Sequence, residues 1–158
     1  MRLKDKVAIV TGGGTGIGKA SAIRFAREGA SVVVAGRRME KLAQTCAEIE
    51  AFGGTAMAVA TDMREEAQVD RLAGQTLERF GRIDLLFNCA GVGYSAPYVM
   101  DSTVKTPAKD WDEILNINLR SVFYMCKAVL PTMIERNSGA ILNCSSINGV
   151  IGCGADAY

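Results

Sequence analysis

Five short apolar runs alternate with longer amphipathic stretches along the chain. The runs are rich in β-branched residues or alanine and lack polar alternation, which is typical of parallel strands buried on both faces of a sheet. They cover Val7 to Val10, Val32 to Ala35, Ala56 to Ala60, Leu85 to Phe87 and Ala140 to Leu142. The pattern therefore predicts five parallel strands.

The amphipathic stretches end at glycines, which commonly terminate helices. They predict helices over Lys19 to Glu28, Glu40 to Phe52 and Glu65 to Phe80, and a longer one from Asp110 towards Arg136 with a kink or turn at Pro131. Parallel strands need crossover connections, which are right-handed almost without exception. We therefore expect one α/β domain over residues 1–158, built on a doubly wound parallel sheet.

Charge and composition exclude several classes of partner. The 18 basic and 17 acidic residues nearly cancel, so no net attraction to nucleic acid or an anionic membrane is indicated. No apolar run approaches the roughly 20 residues that span a bilayer. We expect a cytoplasmic protein that binds neither nucleic acid nor membranes.

The chain contains no histidine, which excludes Ser-His-Asp and Cys-His nucleophiles and histidine general bases. Its five cysteines form no CxxC pair, so neither a disulfide framework nor a zinc site is indicated. No metal is expected.

A glycine-rich segment lies between the first strand and the first helix. Its glycines, Gly12, Gly16 and Gly18, follow the spacing Gly-x-x-x-Gly-x-Gly, and no Gly-Lys-Ser/Thr follows to indicate a P-loop. Glycine allows a close approach to phosphate, and the helix N-terminus offers unpaired N–H donors. Together with Thr15 and Ile17 the segment is a candidate diphosphate site. The alternative is a tight structural turn.

Two arginines, Arg37 and Arg38, follow the second strand, where an NAD enzyme often carries an acid that binds the ribose 2′-hydroxyl. A guanidinium group suits a 2′-phosphate because its planar fork bonds two oxygens. The pair favours NADP over NAD. The alternative is that Arg37 and Arg38 are only solvent-exposed residues at the start of a helix.

The ordered motifs of the chain resemble the classical short-chain dehydrogenase/reductase family, whose fold is a Rossmann-like α/β/α arrangement. The matching residues are Thr11, Gly12, Gly16, Ile17, Gly18, Asp62, Asn88, Ala90, Gly91, Trp111, Asn118, Ser146, Gly149 and Tyr158. The resemblance spans nearly the whole chain.

The resemblance implies further cofactor contacts. Asp62, with Met63 beside it, would meet the adenine, Asn88 would stabilise the end of the fourth strand, and the backbone of Ala90 and Gly91 would let the cofactor pass closely. The alternative is that Asp62 and Asn88 have no cofactor role and are ordinary polar residues that cap the turns after their strands. Cys89 stands where the family more commonly has asparagine, and its thiol is worth testing for modification.

The chemistry that the resemblance implies is hydride transfer between a nicotinamide and a carbonyl or alcohol carbon. Tyr158 would exchange the proton of the substrate oxygen, Ser146 would polarise that oxygen, and Asn118 would hold a water. Ser145 is the reserve candidate for Ser146. Asparagine is a poor helix former, so Asn118 also predicts an irregularity in its helix. Taken singly, these serines and this tyrosine are ordinary loop residues, and only the order of the motifs favours catalysis.

The family lowers the pKa of its tyrosine, about 10 in a free phenol, with a lysine four residues further on. The sequence has no such position after Tyr158. We expect the chain to be part of an enzyme of about 250 residues, inactive as the 158-residue piece alone. The alternative is an inactive dinucleotide-binding or regulatory module.

The substrate stays open among sugars, polyols, steroids and 3-oxoacyl thioesters. The resemblance also implies a homo-oligomer, a dimer or tetramer, formed through the long helix from Asp110 to Arg136.

Overall fold

The computed structural model describes residues 1–93, 97 and 103–149. Within these ranges a five-stranded parallel sheet has the order β3-β2-β1-β4-β5. The strands are β1 Val7–Thr11, β2 Ser31–Gly36, β3 Thr55–Ala60, β4 Leu85–Asn88 and β5 Ala140–Asn143. Each lies within two residues of its predicted run. Because the strand order reverses between β1 and β4, the carboxyl ends of these two strands form a crevice.

The helices are α1 Gly16–Arg27, α2 Met39–Glu50, α3 Glu66–Phe80, α4 Ala108–Leu115 and α5 Ser121–Glu135, with a π-helical turn over Asn116–Arg120 between the last two. Crossover helices between parallel strands confirm the predicted doubly wound α/β class. None of the helices in the described ranges has the length and apolar character that crossing a membrane requires.

Two apolar clusters fill the space between the sheet and its helices. One contains Ile9, Leu86 and Val129 and lies on the side of α3 and α5. The other contains Val10 and Val34 and lies on the side of α1 and α2. Successive strand residues alternate between the two clusters, as a sheet covered on both faces requires.

Two predictions about burial and helix ends are wrong in part. We expected all five strands to be buried on both faces, but β3 and β5 are edge strands with several half-buried or exposed positions. Leu142, in β5, is 57% exposed. Helix α5 runs through Pro131 to Glu135, so the proline does not bound a turn.

Candidate functional site

The segment between β1 and α1 places a helix N-terminus at the crevice between β1 and β4. Helix α1 begins at Gly16, three residues earlier than predicted, and its first turn contains no acidic residue. The Thr15 side chain precedes it without making a capping hydrogen bond. The first N–H groups of the helix therefore keep the partial positive charge that attracts an anion.

Glycine is required at two positions of this loop. Gly12 has φ +69°, and a Cβ on it would lie 3.0 Å from the Ala90 Cα and the Cys89 carbonyl oxygen. A Cβ on Gly18 would lie 2.3 Å from the Gly12 carbonyl oxygen. The loop thus packs directly on the end of β4 and on the start of its own helix, and any side chain would separate them. Thr15, Gly16 and Ile17 remain exposed at its outer surface.

Two threonines hold the loop, and neither was among the predicted site residues. The Thr11 hydroxyl oxygen accepts hydrogen bonds from the N–H groups of Cys89 and Ala90, each at 3.0 Å. On the other side, the buried Thr45 hydroxyl of α2 donates to the Gly13 carbonyl at 3.0 Å. These contacts fix the loop from β4 and α2 at once. Thr11 belongs to the glycine motif that resembles the family, although no role was predicted for it. No local sequence pattern indicated Thr45.

Arg37 and Arg38 are exposed directly after β2, and Arg38 is the N-cap residue of α2. Arg37 is near enough to Asp62 for its charge to lower the pKa of that carboxyl. The structure therefore brings the arginines and Asp62 to the same edge of the sheet.

Asp62 is held by a neighbour that the sequence analysis missed. Arg64 donates from Nη2 to Asp62 Oδ2 at 2.6 Å and from Nε to Oδ1 at 3.0 Å, and its Nη1 reaches Glu113 of α4 at 3.2 Å. The hydrogen bonds from Arg64 to Asp62 are the main cause of the lowered pKa of Asp62, and burial raises that pKa by a smaller amount. The Met63 side chain is buried in the core, so only its backbone is available to a ligand.

The end of β4 is joined to its neighbours on both sides. Asn88 Nδ2 donates to Asn143 Oδ1 of β5 at 2.9 Å, which ties the two strand ends together. Ala90 lies beneath Gly12, as described above. A Cβ on Gly91 would lie 3.3 Å from Asn118 Oδ1. A side chain at this position would therefore press on the Asn118 amide.

Asn118 lies in the π-helical turn between α4 and α5, so the irregularity predicted there is present. Its side-chain amide makes two hydrogen bonds with the Val92 backbone: Val92 N–H donates to Oδ1 and Nδ2 donates to the carbonyl, both at 2.8 Å. The amide therefore holds the segment that follows β4. The Asn118 side chain thus reaches from the π-helical turn to the segment that follows β4.

Ser146 follows β5 at the same edge of the sheet, is exposed, and accepts a hydrogen bond at its carbonyl from Gly149 N–H at 3.1 Å. Ser145 is also exposed. Tyr158 and Cys153 lie outside the described residues. Asn118 and Ser146 thus both lie at the carboxyl edge of the sheet, beyond the glycine loop.

This edge offers an anion site at its middle, after β1, and hydroxyl and amide groups on the side of β4 and β5. A dinucleotide fits this edge. Gly12 has no side chain to keep a phosphate away from the backbone, and the N–H groups at the start of α1 have no side-chain cap. Asp62 follows β3, on the other side of the glycine loop from Asn118 and Ser146. Within the described ranges no three side chains are grouped so as to bind a metal ion.

Known proteins are similar to this chain in sequence and in fold. The sequence is 35% identical over 152 residues to the 3-oxoacyl-acyl-carrier-protein reductase of Thermotoga maritima, covering 96% of this chain and 60% of that protein. Among solved structures, levodione reductase superimposes with a TM-score of 0.92 at 36% identity, covering 99% of this chain and 60% of the other. NAD⁺-bound xylitol dehydrogenase gives 0.90 at 33% identity, covering 97% and 57%.

The chain therefore spans about three fifths of the length of these relatives. The family described as short chain dehydrogenase matches residues 6–158. The glycine loop, the strand order and this match lead to one conclusion: the chain belongs to the short-chain dehydrogenase/reductase family of nicotinamide-dependent oxidoreductases.

Proposed function

We propose that the protein binds a nicotinamide dinucleotide along the carboxyl edge of its sheet and transfers a hydride to or from a carbonyl/alcohol substrate. The observation that carries the proposal is the glycine loop, in which Gly12 packs on Ala90 while the α1 N-terminus stays open. A diphosphate at that N-terminus lies between the adenine side, at Asp62, and the reaction side, at Asn118 and Ser146.

NADP is the proposed cofactor, and NAD is the alternative. Two exposed guanidinium groups follow β2, and Arg37 is close enough to influence the Asp62 carboxyl. Arginine binds a phosphate monoester through two parallel hydrogen bonds, whereas a free ribose hydroxyl offers no negative charge. An acid after β2 would favour NAD, and no acid stands there.

Three side chains are proposed to take part in the reaction, two of them at the substrate oxygen. Tyr158 donates its proton to that oxygen in reduction and accepts it in oxidation. Ser146 donates a hydrogen bond that polarises the carbonyl. Asn118 holds the segment after β4 and, through the opened backbone of its π-helical turn, supports a water in the proton path. When bound, the nicotinamide supplies or receives the hydride.

The proposed substrate is a small carbonyl or alcohol compound, and the proposed setting is a cytoplasmic homo-oligomer, a dimer or tetramer. Relatives act on chemically different substrates: one is named for a 3-oxoacyl thioester, another for levodione and a third for xylitol. The fold alone therefore does not select a substrate.

The test uses the full polypeptide of about 250 residues expected above, and combines calorimetric titration with NADPH and NADH with an assay of NADPH oxidation by a panel of ketones. Tyr158→Phe should keep cofactor affinity and lose turnover by about 10²- to 10⁴-fold. Tyr124→Phe, in the middle of α5, is the matched control and should keep both. Turnover by Tyr158→Phe at the wild-type rate would overturn the tyrosine assignment.

Two other results decide the wider proposal. If neither dinucleotide binds the wild-type protein, the oxidoreductase proposal is wrong. If the cofactor binds but no ketone in the panel is reduced, the alternative of a dinucleotide-binding or regulatory module replaces the reductase. An intact-mass measurement identifies the polypeptide used in each assay.

A further inference from the structure

Two cysteines occupy equivalent positions after neighbouring strands. Asn88 and Asn143 are register partners of β4 and β5, and the next residues are Cys89 and Cys144. The Cys144 N–H donates to the Asn88 carbonyl at 2.8 Å, which continues the strand ladder by one more step. The Asn88–Asn143 side-chain hydrogen bond also holds the two strand ends together. The cysteines therefore face each other across the end of the ladder.

Their side chains lie on the same face of the sheet. Phe87 and Cys89 both pack against the cluster on the side of α1 and α2. Asn88 points to the opposite face, where its Nδ2 lies 3.9 Å from the Cys126 sulfur. Cys144, as the register partner of Cys89, shares the α1 and α2 side. The sheet thus separates Cys126 from the Cys89–Cys144 pair.

The two thiols differ in their surroundings. Cys144 is exposed, whereas Cys89 is half-buried. Burial raises the pKa of Cys89 to about 11, and the adjacent Cys144 thiol adds to the rise. Cys89 is therefore protonated at neutral pH, and Cys144 is the thiol that a reagent in solution meets first.

We propose that Cys89 and Cys144 form a redox-sensitive dithiol site, which a hydroperoxide converts into a disulfide that weakens dinucleotide binding. The second half of this inference rests on the proposed function; the first half does not. Neighbouring strands lie about 4.8 Å apart, within the range of about 4.4 to 6.8 Å between the Cα atoms of disulfide-bonded cysteines. The backbone spacing at the strand ends is therefore compatible with a disulfide between these two residues.

The oxidation proceeds in two balanced steps. The Cys144 sulfur attacks the hydroperoxide, the O–O bond breaks, and a sulfenic acid and water (or an alcohol) form. The Cys89 sulfur then attacks the sulfenic sulfur, the S–O bond breaks, and the leaving hydroxide takes up the thiol proton as water. Each sulfur loses one electron, and the two peroxide oxygens gain the pair.

The cross-link would act on the cofactor site through the backbone of Cys89. The Cys89 N–H donates to Thr11, and its carbonyl oxygen lies against Gly12. On the other strand, Ser146 follows Cys144 by two residues. Drawing the two sulfurs together therefore moves the Cys89 backbone, on which Gly12 packs. It also moves the start of the segment that carries Ser146. Displacing such hydrogen bonds typically changes affinity by about tenfold.

The chemical half is tested by treating the reduced protein with hydrogen peroxide and mapping its disulfides under non-reducing conditions. We expect a peptide pair joining Cys89 to Cys144, lighter by two hydrogen atoms than the reduced pair and separated again by dithiothreitol. Cys144→Ser should abolish the pair, whereas the matched control Cys126→Ser should form it normally. Peroxide that yields no Cys89–Cys144 link in the wild-type protein would overturn the inference.

The functional half is tested by titrating NADPH into the same samples. We expect affinity to fall about tenfold on oxidation and to recover with dithiothreitol, in the wild-type protein and in Cys126→Ser. Cys144→Ser should bind equally before and after peroxide. A linked protein with unchanged affinity would overturn the effect on binding. Absence of binding in the reduced wild-type protein contradicts the proposed function instead and leaves the mapping result standing.

Discussion

At the scale of single residues, the site depends on a few polar groups that join distant segments. The Thr11 hydroxyl bonds two N–H groups after β4, Thr45 bonds the glycine loop, and Arg64 bonds Asp62 and Glu113. The glycines were predictable because their spacing shows a turn at a helix start. Thr45 and Arg64 were not, because neither a threonine within a helix nor an arginine in the turn before α3 shows in the sequence which residue of another element it contacts.

The proposed preference for NADP also depends on a single residue, Arg37. Arg37→Ala removes a charged donor beside the expected 2′-phosphate, so the ratio of NADP to NAD affinity should fall about tenfold. Arg71→Ala, an exposed arginine on α3, is the control and should keep the wild-type ratio. Calorimetry with both dinucleotides measures the ratio. The same ratio in Arg37→Ala and wild type would remove Arg37 from the site.

At the scale of elements, the strands were predicted within two residues because short apolar runs rich in β-branched residues are typical of buried parallel strands. The interruption between α4 and α5 was only partly predictable. Asn118 indicated an irregularity, but the extra residue of a π-helical turn depends on what the turn packs against. Exposure of β3 and β5 was not predictable either, since a strand's neighbours, rather than its own sequence, decide whether it lies at an edge.

Asp84 joins three elements just before β4. Its buried carboxylate accepts hydrogen bonds from Arg82 at 2.6 Å, from Arg136 after α5 at 3.3 Å and from the Val7 N–H at 2.9 Å. Burial alone would raise the pKa of Asp84, but the Arg82 and Val7 hydrogen bonds and the arginine charges outweigh it and lower the pKa. The ionised carboxylate is therefore the form that stabilises the fold.

Because the folded pKa lies below that of the unfolded chain, about 3.9, this contribution is complete above that pH and is lost as pH falls through the folded pKa. Asp84→Asn should lower the free energy of unfolding at pH 7 by about 2 kcal/mol, and the difference from wild type should shrink in acid. Urea unfolding at pH 7 and about pH 3 measures both. Asp70→Asn, at an exposed position, is the control. An equal loss at both pH values would contradict the role of the charge.

At the scale of the whole molecule, apolar side chains remain exposed along one side of the π-helical turn and α5. Leu119, Phe123, Leu130 and Ile134 are between 39% and 72% exposed and follow helical spacing. Opposite them, Met125, Val129 and Met133 pack into the core. A helix that is apolar on a second face is typical of a contact between subunits, which agrees with the homo-oligomer proposed above.

Phe123→Glu should therefore shift the protein to a smaller species in sedimentation velocity, because it buries a charge in the proposed contact. Val104→Glu, at a residue that is 91% exposed, is the control and should leave the sedimentation coefficient unchanged. Circular dichroism should show both variants folded. A Phe123→Glu protein of wild-type size would exclude this face as the contact.

The Thr11 bridge has a consequence for synthesis on the ribosome. Its partners, Cys89 and Ala90, lie 78 and 79 residues further along the chain. A nascent polypeptide that has emerged only as far as β2 already carries the complete glycine motif, yet nothing lies beneath it. Binding of the proposed nucleotide would have to wait until the fourth strand has been translated and has docked beside the first, because only then does Gly12 have its packing partner. The motif exists well before the site does.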